Sequence, residues 1–254
     1  MKIKKILVSQ PRPTTEKSPY FDIIERYNIK IDFRPFIKVE AVYAKEFRTQ
    51  RISILDHTAI IFNARHGVDH FFRLCEELRI SVPESMKYFC VSETVALYLQ
   101  KYIQYRKRKI FFSPTGKFGD MTAQFNKHSN EKYLYITSNV RNEETMLSLE
   151  NCNIEFDQAI MYKTVSNDFQ PNEDINYDMF IFFSPAGIDS LLKNFPNFKQ
   201  GDILLGCFGA NTAQAVKDAG LRLDLEAPTK EFPSMTMALD NFLKENSKKE
   251  KSKK

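Results

Sequence analysis

The chain has 254 residues, of which 43 % are hydrophobic and 27 % charged, and its formal net charge is +5. With only 8 Gly and 11 Pro, this composition excludes collagen-like and low-complexity chains and is typical of one large globular domain or two modest ones. No apolar run approaches the roughly 18 to 20 residues that cross a bilayer, so we expect a cytoplasmic protein with no membrane partner.

Apolar and amphipathic segments alternate along the chain. Continuous apolar runs, such as residues 180–183, are typical of strands buried on both faces of a parallel sheet. The predicted strands lie, in chain order, at 6–9, 31–39, 59–62, 88–91, 109–112, 133–137, 154–165, 179–183 and 205–208, and the clearest predicted helices at 20–27, 122–125 and 143–149. A polar loop is predicted at 166–177.

Part of the chain repeats. Residues 59–69 and 179–189 each contain an apolar run ending in Phe, a short loop, and then Gly, a β-branched residue and Asp. Residues 88–96 and 205–213 match in the same order, and the comparison aligns Thr94 with Thr212. Each copy is typical of a strand–loop–helix–strand–loop–helix unit with right-handed crossovers.

The repeat predicts an α/β fold of two similar parallel-sheet lobes joined by a two-stranded linker, with one lobe inserted into the other. The first lobe is discontinuous and comprises residues 1–35 and 172–246. The second lobe, with the linker strands, comprises residues 36–171. Residues 247–254 form a basic tail that lacks apolar side chains to bury, and we expect it to be disordered.

Small residues with hydroxyl or amide groups follow the predicted strands. In open parallel sheets, ligands bind beyond the carboxyl ends of the strands. The helix starts found there expose backbone N–H groups and a positive dipole end, which favour carboxylates or phosphates. For any single residue the alternative interpretation is helix capping. The segments concerned are 9–12, 63–67, 92–94, 137–139, 184–187 and 209–212.

Common catalytic and cofactor motifs are absent from the sequence. There is no phosphate-binding P-loop, no dinucleotide fingerprint and no G-x-S-x-G elbow. The four cysteines form no C-x-x-C pair, and the four histidines do not have metal-ligand spacing beyond the weak pair His66 and His70. We therefore expect no metal and no cofactor, and we interpret these histidines as exposed or capping residues.

Several segments resemble motifs of one known family. Residues 182–187 (FFSPAG) and 209–213 (GANTA) are similar to the F-[TF]-S-P-S-G and G-x-T-T-A loops of the uroporphyrinogen-III synthase family. The resemblance covers nearly the whole chain apart from the basic tail. Further similar segments are 7–12 (the opening L-V-T-R-P), 160–165 (the V-Y-x-T-V linker strand) and 220–229 (G-L…A-x-x-P-T). The second lobe departs from the pattern, with Ala64 and Val91 where the family has Ser and Gly.

The resemblance implies an enzyme of tetrapyrrole biosynthesis, the route to porphyrins and heme. The family closes hydroxymethylbilane, a linear tetrapyrrole with eight carboxylates, with loss of water and inversion of ring D. This implies a cofactor-free lyase (a cyclising dehydratase) that acts as a monomer and binds no nucleic acid. The reaction passes through an azafulvene cation and a spiro-pyrrolenine, so orientation of the substrate is the main contribution of the protein.

The resemblance also implies roles for single residues. Tyr162 is the catalytic candidate, since its phenol would donate a hydrogen bond to the departing hydroxyl as general acid. The alternative is that Tyr162 only packs in a linker strand. The implied substrate-binding residues are Ser9, Arg12, Asn63, Arg65, Thr94, Ser138, Ser184, Gly187, Asn211 and Thr212.

Three alternatives remain at this point. The altered loops of the second lobe motivate the first alternative, a non-catalytic relative that binds a tetrapyrrole or another polycarboxylate in the interlobe cleft. A two-lobed small-molecule binding protein of periplasmic type is disfavoured by the expected lack of a signal peptide. A nucleic-acid-binding role would depend on the tail and on the basic residues 101–109, so that removing the tail would abolish binding.

Overall fold

A computed structural model describes residues 2–140, 142–170, 173 and 175–251. The chain divides into two compact units, which are called unit 1 (residues 1–38 and 165–254) and unit 2 (residues 39–164). Unit 1 is therefore discontinuous in sequence, and unit 2 is contiguous. Within the described residues, no helix combines the length and the apolar character needed to cross a membrane.

Strands and short helices alternate through most of the chain. The strands are β1 Lys5–Val8, β2 Lys30–Phe33, β3 Ile37–Ala41, β4 Ala59–Phe62, β5 Lys87–Cys90, β6 Ile110–Phe112, β7 Tyr133–Ser138, β8 Phe156–Ser166, β9 Met179–Phe182, β10 Leu204–Phe208 and β11 Leu225–Ala227. The α-helices are α1 Pro19–Tyr27, α2 Ala44–Phe47, α3 Arg65–Glu77, α4 Glu93–Tyr98, α5 Thr122–Lys127, α6 Glu143–Glu150, α7 Pro185–Asn194, α8 Ala210–Asp218 and α9 Met235–Lys251.

Unit 1 contains a five-stranded sheet in the order β11-β10-β9-β1-β2, and its paired strands are parallel. Alternate side chains of β1 enter different cores, as the two-residue period of a strand requires. Ile6 and Val8 pack with residues of α1 and α9. Leu7 packs with residues of α7 and α8. Helices therefore cover both faces of the sheet, which explains its continuous apolar strands.

Unit 2 contains a six-stranded sheet in the order β3-β8-β7-β4-β5-β6. Strands β4 to β8 pair in parallel. Ile60 and Phe62 of β4 pack with residues of α3 and α4, whereas Ala59 and Ile61 pack with residues of α5 and α6. The prediction of an α/β fold built on parallel sheets is confirmed.

The extended run predicted at residues 31–39 is two strands. Pro35 lies between β2 and β3, and because proline has no backbone N–H it cannot donate to a sheet ladder. Before this break, the Arg34 N–H donates to the Val8 carbonyl at 3.0 Å. Strand β2 joins the sheet of unit 1, whereas β3 joins the sheet of unit 2.

The prediction of a disordered tail from residue 247 is wrong for residues 247–251. Helix α9 continues to Lys251, and the Ser247 hydroxyl donates to the Leu243 carbonyl at 2.8 Å. Earlier in the helix, Leu239 and Leu243 are buried in the core of unit 1. Their packing stabilises the helical turns that precede the Lys- and Glu-rich segment. Lys and Glu have high helix propensity and extend it. Residues 252–254 lie outside the described residues.

Candidate functional site

The connections from strand to helix have a repeated backbone geometry. Ala64, before α3, has φ −155° and ψ 157°. Ser184, before α7 in the other unit, has φ −156° and ψ 152°. Ser92, before α4, has φ −154° and ψ 162°. Each of these residues turns the chain from a buried strand directly into a helix at the carboxyl end of its sheet.

The third residue of α3 and of α7 is a glycine packed on the Phe that ends the preceding strand. A Cβ atom on Gly67 would lie 3.5 Å from Phe62 Cδ1. A Cβ atom on Gly187 would lie 3.1 Å from Phe182 Cδ1, which is closer than an ordinary contact. The predicted substrate-binding residue Gly187 therefore has a packing role, since it lets the helix start approach the strand.

These helix starts lack side-chain caps. Neither Ser92 nor Ser184 accepts a cap hydrogen bond, and Ala64 has no polar side chain to offer. By contrast, Asn142 Oδ1 accepts from the Thr145 N–H at 3.0 Å at the start of α6. The capping alternative is therefore wrong for Ser184, and the first-turn N–H groups of α7 receive no cap from its side chain.

In unit 1, predicted residues from three loops lie at one edge of the sheet, because β10, β9 and β1 are neighbours. The Ser9 N–H donates to the Ile181 carbonyl at 2.9 Å, which ties the loop after β1 to the neighbouring strand β9. Ser184 is half-buried and Thr212 is 3 % exposed. Asn211, beside Thr212, is exposed. Together they present hydroxyl, amide and backbone N–H groups along one edge.

Arg12 lies beyond the first of these loops. Its side chain is exposed, and its guanidinium carbon lies 5.5 Å from the ring centroid of Phe21 in α1. This cation–π contact holds the charge against unit 1 without burying it. Arg12 is therefore available to an anion from solvent.

The predicted equivalence of Thr94 and Thr212 is wrong. Thr94 is the second residue of α4 and is exposed, and its hydroxyl lies 2.9 Å from that of Ser92. Thr212 is the third residue of α8 and is buried. The residue of α4 at the same helical position and burial is Val95, so unit 2 has no hydroxyl where unit 1 has Thr212.

In unit 2, Asn63, Thr94 and Ser138 follow or end the neighbouring strands β4, β5 and β7 and lie along one edge. Asn63 is held by the fold, since its Nδ2 donates to the Tyr135 hydroxyl at 2.7 Å. Its Oδ1 is buried and has no partner among the described residues. Burial raises the pKa of Tyr135 to about 12, so this phenol stays neutral.

Arg65 opens helix α3 at the same edge. Its exposed guanidinium lies 5.5 Å from the ring centroid of Tyr98 in α4. The Tyr98 hydroxyl donates to Asp69, which also accepts from Lys101 and Tyr102. This network fixes the ring on which Arg65 rests and leaves the cation open to solvent.

Tyr162 is brought to this edge by an irregularity in the sheet. Strands β7 and β8 pair with Thr137 opposite Ile160, but Ser138 is opposite Tyr162, so one residue of β8 is skipped. Such a bulge redirects side chains and is common beside active sites. The side chain of Tyr162 is 7 % exposed, and burial raises its pKa. Its hydroxyl has no hydrogen-bond partner among the described residues.

Two histidine rings of α3 contact the Tyr162 ring. The His70 ring stacks on it, with a centroid distance of 5.3 Å and an interplanar angle of 15°. The His66 ring lies at 6.3 Å and 47°. The interpretation of His70 as an exposed or capping residue is wrong, because it is half-buried inside this ring cluster. The i, i+4 spacing of His66 and His70 in the sequence indicates that the two rings lie on one face of a helix.

The comparisons with known proteins identify the family. The sequence matches the family model described as HEM4, Uroporphyrinogen-III synthase HemD, over residues 19–237. The chain belongs to the uroporphyrinogen-III synthase family. The resemblance found in the loop motifs is thereby confirmed.

Solved structures of uroporphyrinogen-III synthases share the fold. The synthetase of Helicobacter pylori is 16 % identical with a TM-score of 0.60, and the match covers 95 % of this chain and 99 % of that one. A mutant synthase of the extremely thermophilic bacterium Thermus thermophilus is 12 % identical with a TM-score of 0.55 and coverages of 96 % and 99 %. At these identities the agreement concerns the fold alone. No curated protein sequence matches the chain.

In each unit, predicted site residues lie at the carboxyl edge of the sheet. The polar loops of unit 1 lie at the carboxyl edge of one sheet, and Tyr162 with Ser138 lies at the carboxyl edge of the other. Each edge contains helix starts without side-chain caps, and the edge of unit 2 adds a buried phenol whose hydroxyl has no hydrogen-bond partner among the described residues. These groups suit an anionic, oxygen-rich ligand.

Proposed function

We propose that this member of the family is an active uroporphyrinogen-III synthase, a lyase that closes hydroxymethylbilane with loss of water and inversion of ring D and uses no cofactor. The observation that carries the proposal is the position of Tyr162. A buried phenol, whose hydroxyl has no partner in the part of the chain that the structure describes, lies beside Ser138 at the carboxyl edge of a parallel sheet, where ligands bind in such sheets.

Tyr162 assists the first chemical step. The C–O bond of the hydroxymethyl group breaks as the Tyr162 phenol transfers its proton to the hydroxyl, which leaves as water and gives the azafulvene cation. The proton that the macrocycle releases after ring closure restores the phenol. Because burial raises its pKa, the Tyr162 phenol is fully protonated at neutral pH and is a hydrogen-bond donor. Donation to the departing oxygen stabilises the negative charge that develops there, as a general acid does.

The polar edge residues hold the substrate carboxylates. In unit 1, this role belongs to the hydroxyls of Ser9, Ser184 and Thr212, at an edge where the start of α7 has no side-chain cap. In unit 2, Thr94 and Ser138 offer hydroxyls. Hydrogen bonds to carboxylates are stronger than those between neutral groups. Fixing several side chains of a flexible tetrapyrrole restricts which pyrrole carbon can attack the cation.

Cationic and amide side chains complete the set of proposed contacts. Arg12 and Arg65 are exposed guanidiniums held on aromatic rings, and each can pair with a carboxylate. Asn63 and Asn211 contribute amide groups at the same edges. The chain has a net charge of +5, which favours encounter with a substrate of strongly negative charge.

A coupled isomer assay tests this function. Freshly prepared hydroxymethylbilane is incubated with the protein, the products are oxidised, and isomers I and III are separated by chromatography. Spontaneous closure gives isomer I, so an excess of isomer III that scales with protein concentration establishes the synthase. Isomer I alone, from protein shown by circular dichroism to be folded, refutes catalysis. Calorimetric binding of uroporphyrin would then establish the non-catalytic relative.

A further inference from the structure

His70, which stacks on the proposed general acid Tyr162, has no role in the function proposed above. The two rings are nearly parallel, at 15°, with centroids 5.3 Å apart, which is a favourable stacking geometry. They come from different elements, since His70 lies in α3 and Tyr162 in β8. The contact therefore sets the position of the phenol relative to the helix that begins at Arg65.

The Tyr162 side chain is held in unit 2 by burial and by ring contacts. Its hydroxyl has no hydrogen-bond partner among the described residues. The other ring in contact, that of His66, is farther away and inclined at 47°. By comparison, the buried Tyr133 and Tyr135 each have a hydrogen bond at the hydroxyl. For Tyr162, the face-to-face contact with His70 replaces such an anchor.

We propose that His70 is a positioning residue for Tyr162, whose stacked ring holds the phenol so that its hydroxyl remains free and directed to the departing group of the substrate. The inference rests on the proposed function for the identity of that group. It assigns no contact between His70 and the substrate. Its basis is the ring geometry within unit 2.

The surroundings of His70 favour an uncharged ring. Its Nδ1 is buried without a partner among the described residues, so a proton there would be a buried donor with no acceptor. Burial is the main cause of its lowered pKa, and the positive charges of Arg73 and His66 add to it, whereas Asp69 opposes it. Asp69 is itself engaged by Lys101, Tyr98 and Tyr102. On the β8 side, the titratable neighbour is Tyr162.

It follows that the stack is intact when His70 is neutral and is disturbed when His70 is protonated. A planar aromatic ring that cannot titrate, as in His70→Phe, should keep the phenol in place at every pH. Removal of the ring in His70→Ala should release it. His128→Phe is a matched control, since His128 also has a lowered pKa and contacts aromatic rings, but those of Phe111 and Phe89.

The first test is a nuclear magnetic resonance titration of protein labelled with ¹³C in His and Tyr rings. Signals are assigned with the His70→Phe and Tyr162→Phe variants. The expected result is a His70 midpoint below 6.5, with Tyr162 ring signals that move at the same midpoint, and no such movement in His70→Phe. The proposal would be overturned if the chemical shifts of the Tyr162 ring do not change as His70 titrates and are the same in His70→Ala as in the wild type. This test needs no substrate.

The second test is the kinetics of isomer III formation against pH. We expect kcat of His70→Ala to fall by about tenfold or more with a small change in KM, because misplacing a reacting group costs rate more than binding. His70→Phe should keep the neutral-pH kcat and lose the decline that the wild type shows on acidification. His128→Phe should follow the wild type. A His70→Ala enzyme with wild-type kcat, or a His70→Phe enzyme with the wild-type pH profile, contradicts the role.

The two tests separate two kinds of failure. If wild-type protein forms no isomer III, the proposed function fails, and the titration still decides whether His70 positions the phenol. If isomer III forms and the variants behave like the wild type, only the positioning role fails. Circular dichroism and thermal unfolding of each variant confirm that the rates compared are those of folded protein.

Discussion

Gly187 lies against the ring of Phe182, and a Cβ atom at this position would make an unusually tight contact with that ring. A Cβ there would be 3.1 Å from Phe182 Cδ1, and Phe182 is fully buried among the aromatic rings of unit 1. Gly67 has the same relation to Phe62 in unit 2, but at 3.5 Å, which is an ordinary van der Waals distance. Both glycines are the third residue of their helix, but the space available for a side chain differs between the two positions.

We predict opposite effects for the same substitution at these two sites. Gly187→Ala forces Phe182 to move within a close-packed core and should destabilise the protein by about 1–3 kcal/mol. Gly67→Ala meets no clash and gains helix propensity, so it should stabilise by up to about 1 kcal/mol. Urea denaturation of both variants measures the difference. Equal shifts of the same sign would show that the Phe contact does not decide the outcome.

Removing the hydroxyl of Tyr162 should affect rate and not stability. Tyr162→Phe removes a hydroxyl with no partner among the described residues, so the free energy of unfolding should change little, whereas kcat for isomer III should fall by about 10²-fold. Tyr133→Phe is the control, because its hydroxyl donates to the His128 carbonyl at 2.9 Å. That variant should lose about 1 kcal/mol of stability and keep its activity.

The buried hydroxyl of Thr212 should matter more than the exposed one of Thr94. Thr212→Val removes a proposed hydrogen bond to a substrate carboxylate, so KM should rise by about tenfold with kcat nearly unchanged. Thr94→Val should raise KM less. The exposed Thr94 hydroxyl already pairs with that of Ser92, and water competes with the substrate for it. Steady-state kinetics on both variants check this order. A larger effect at Thr94 would contradict the assigned positions.

Stability should decline on acidification partly through histidine. Burial is the first cause of the lowered pKa of both His70 and His128. The unfolded chain takes up these protons near pH 6.5, above the pH at which the folded protein does, so unfolding is favoured as pH falls through that value. The stabilisation is complete above the unfolded pKa. The loss of unfolding free energy between about pH 7.5 and about pH 5.5 should be smaller in His70→Phe than in the wild type.

The end of α9 should be dispensable for catalysis. Truncation after Asn246 removes a Lys-rich segment whose one described side-chain bond is local, from Ser247 to the Leu243 carbonyl. Isomer III formation should be unchanged, whereas a nucleic-acid-binding role predicts loss of binding.

Leu243→Ala, a few residues earlier, opens a cavity beside buried residues of unit 1 and should lower the free energy of unfolding by about 2–5 kcal/mol.

The fold could be predicted from the sequence where local pattern and burial agree. Strands β4 and β9 are short apolar runs with every residue buried, and each ends in the Phe that a Gly of the next helix contacts. The start of the helix after β5 and after β10 was harder to predict from the sequence. Thr94 and Thr212 look equivalent in sequence, but a one-residue difference at the helix start changes which of them is buried.

The stacked histidine could not be predicted. His70 and Tyr162 are far apart in sequence, and their contact depends on the register of β8 against β7. That register shifts by one residue at a bulge, which no apolar period reveals. The length of α9 was missed for a related reason, because its Lys-rich end is ordered by packing that occurs earlier in the helix.

The pairing of β1 with β9 has a consequence for how the chain matures. Ile6 pairs with Met179, so a central strand of unit 1 that is made before unit 2 lacks its neighbour until unit 2 has been translated. The contiguous unit 2 emerges complete before that point and can fold first. A newborn chain stalled before β9 would expose β1 and β2 as unmatched apolar strands, and would depend on chaperone protection until translation resumes.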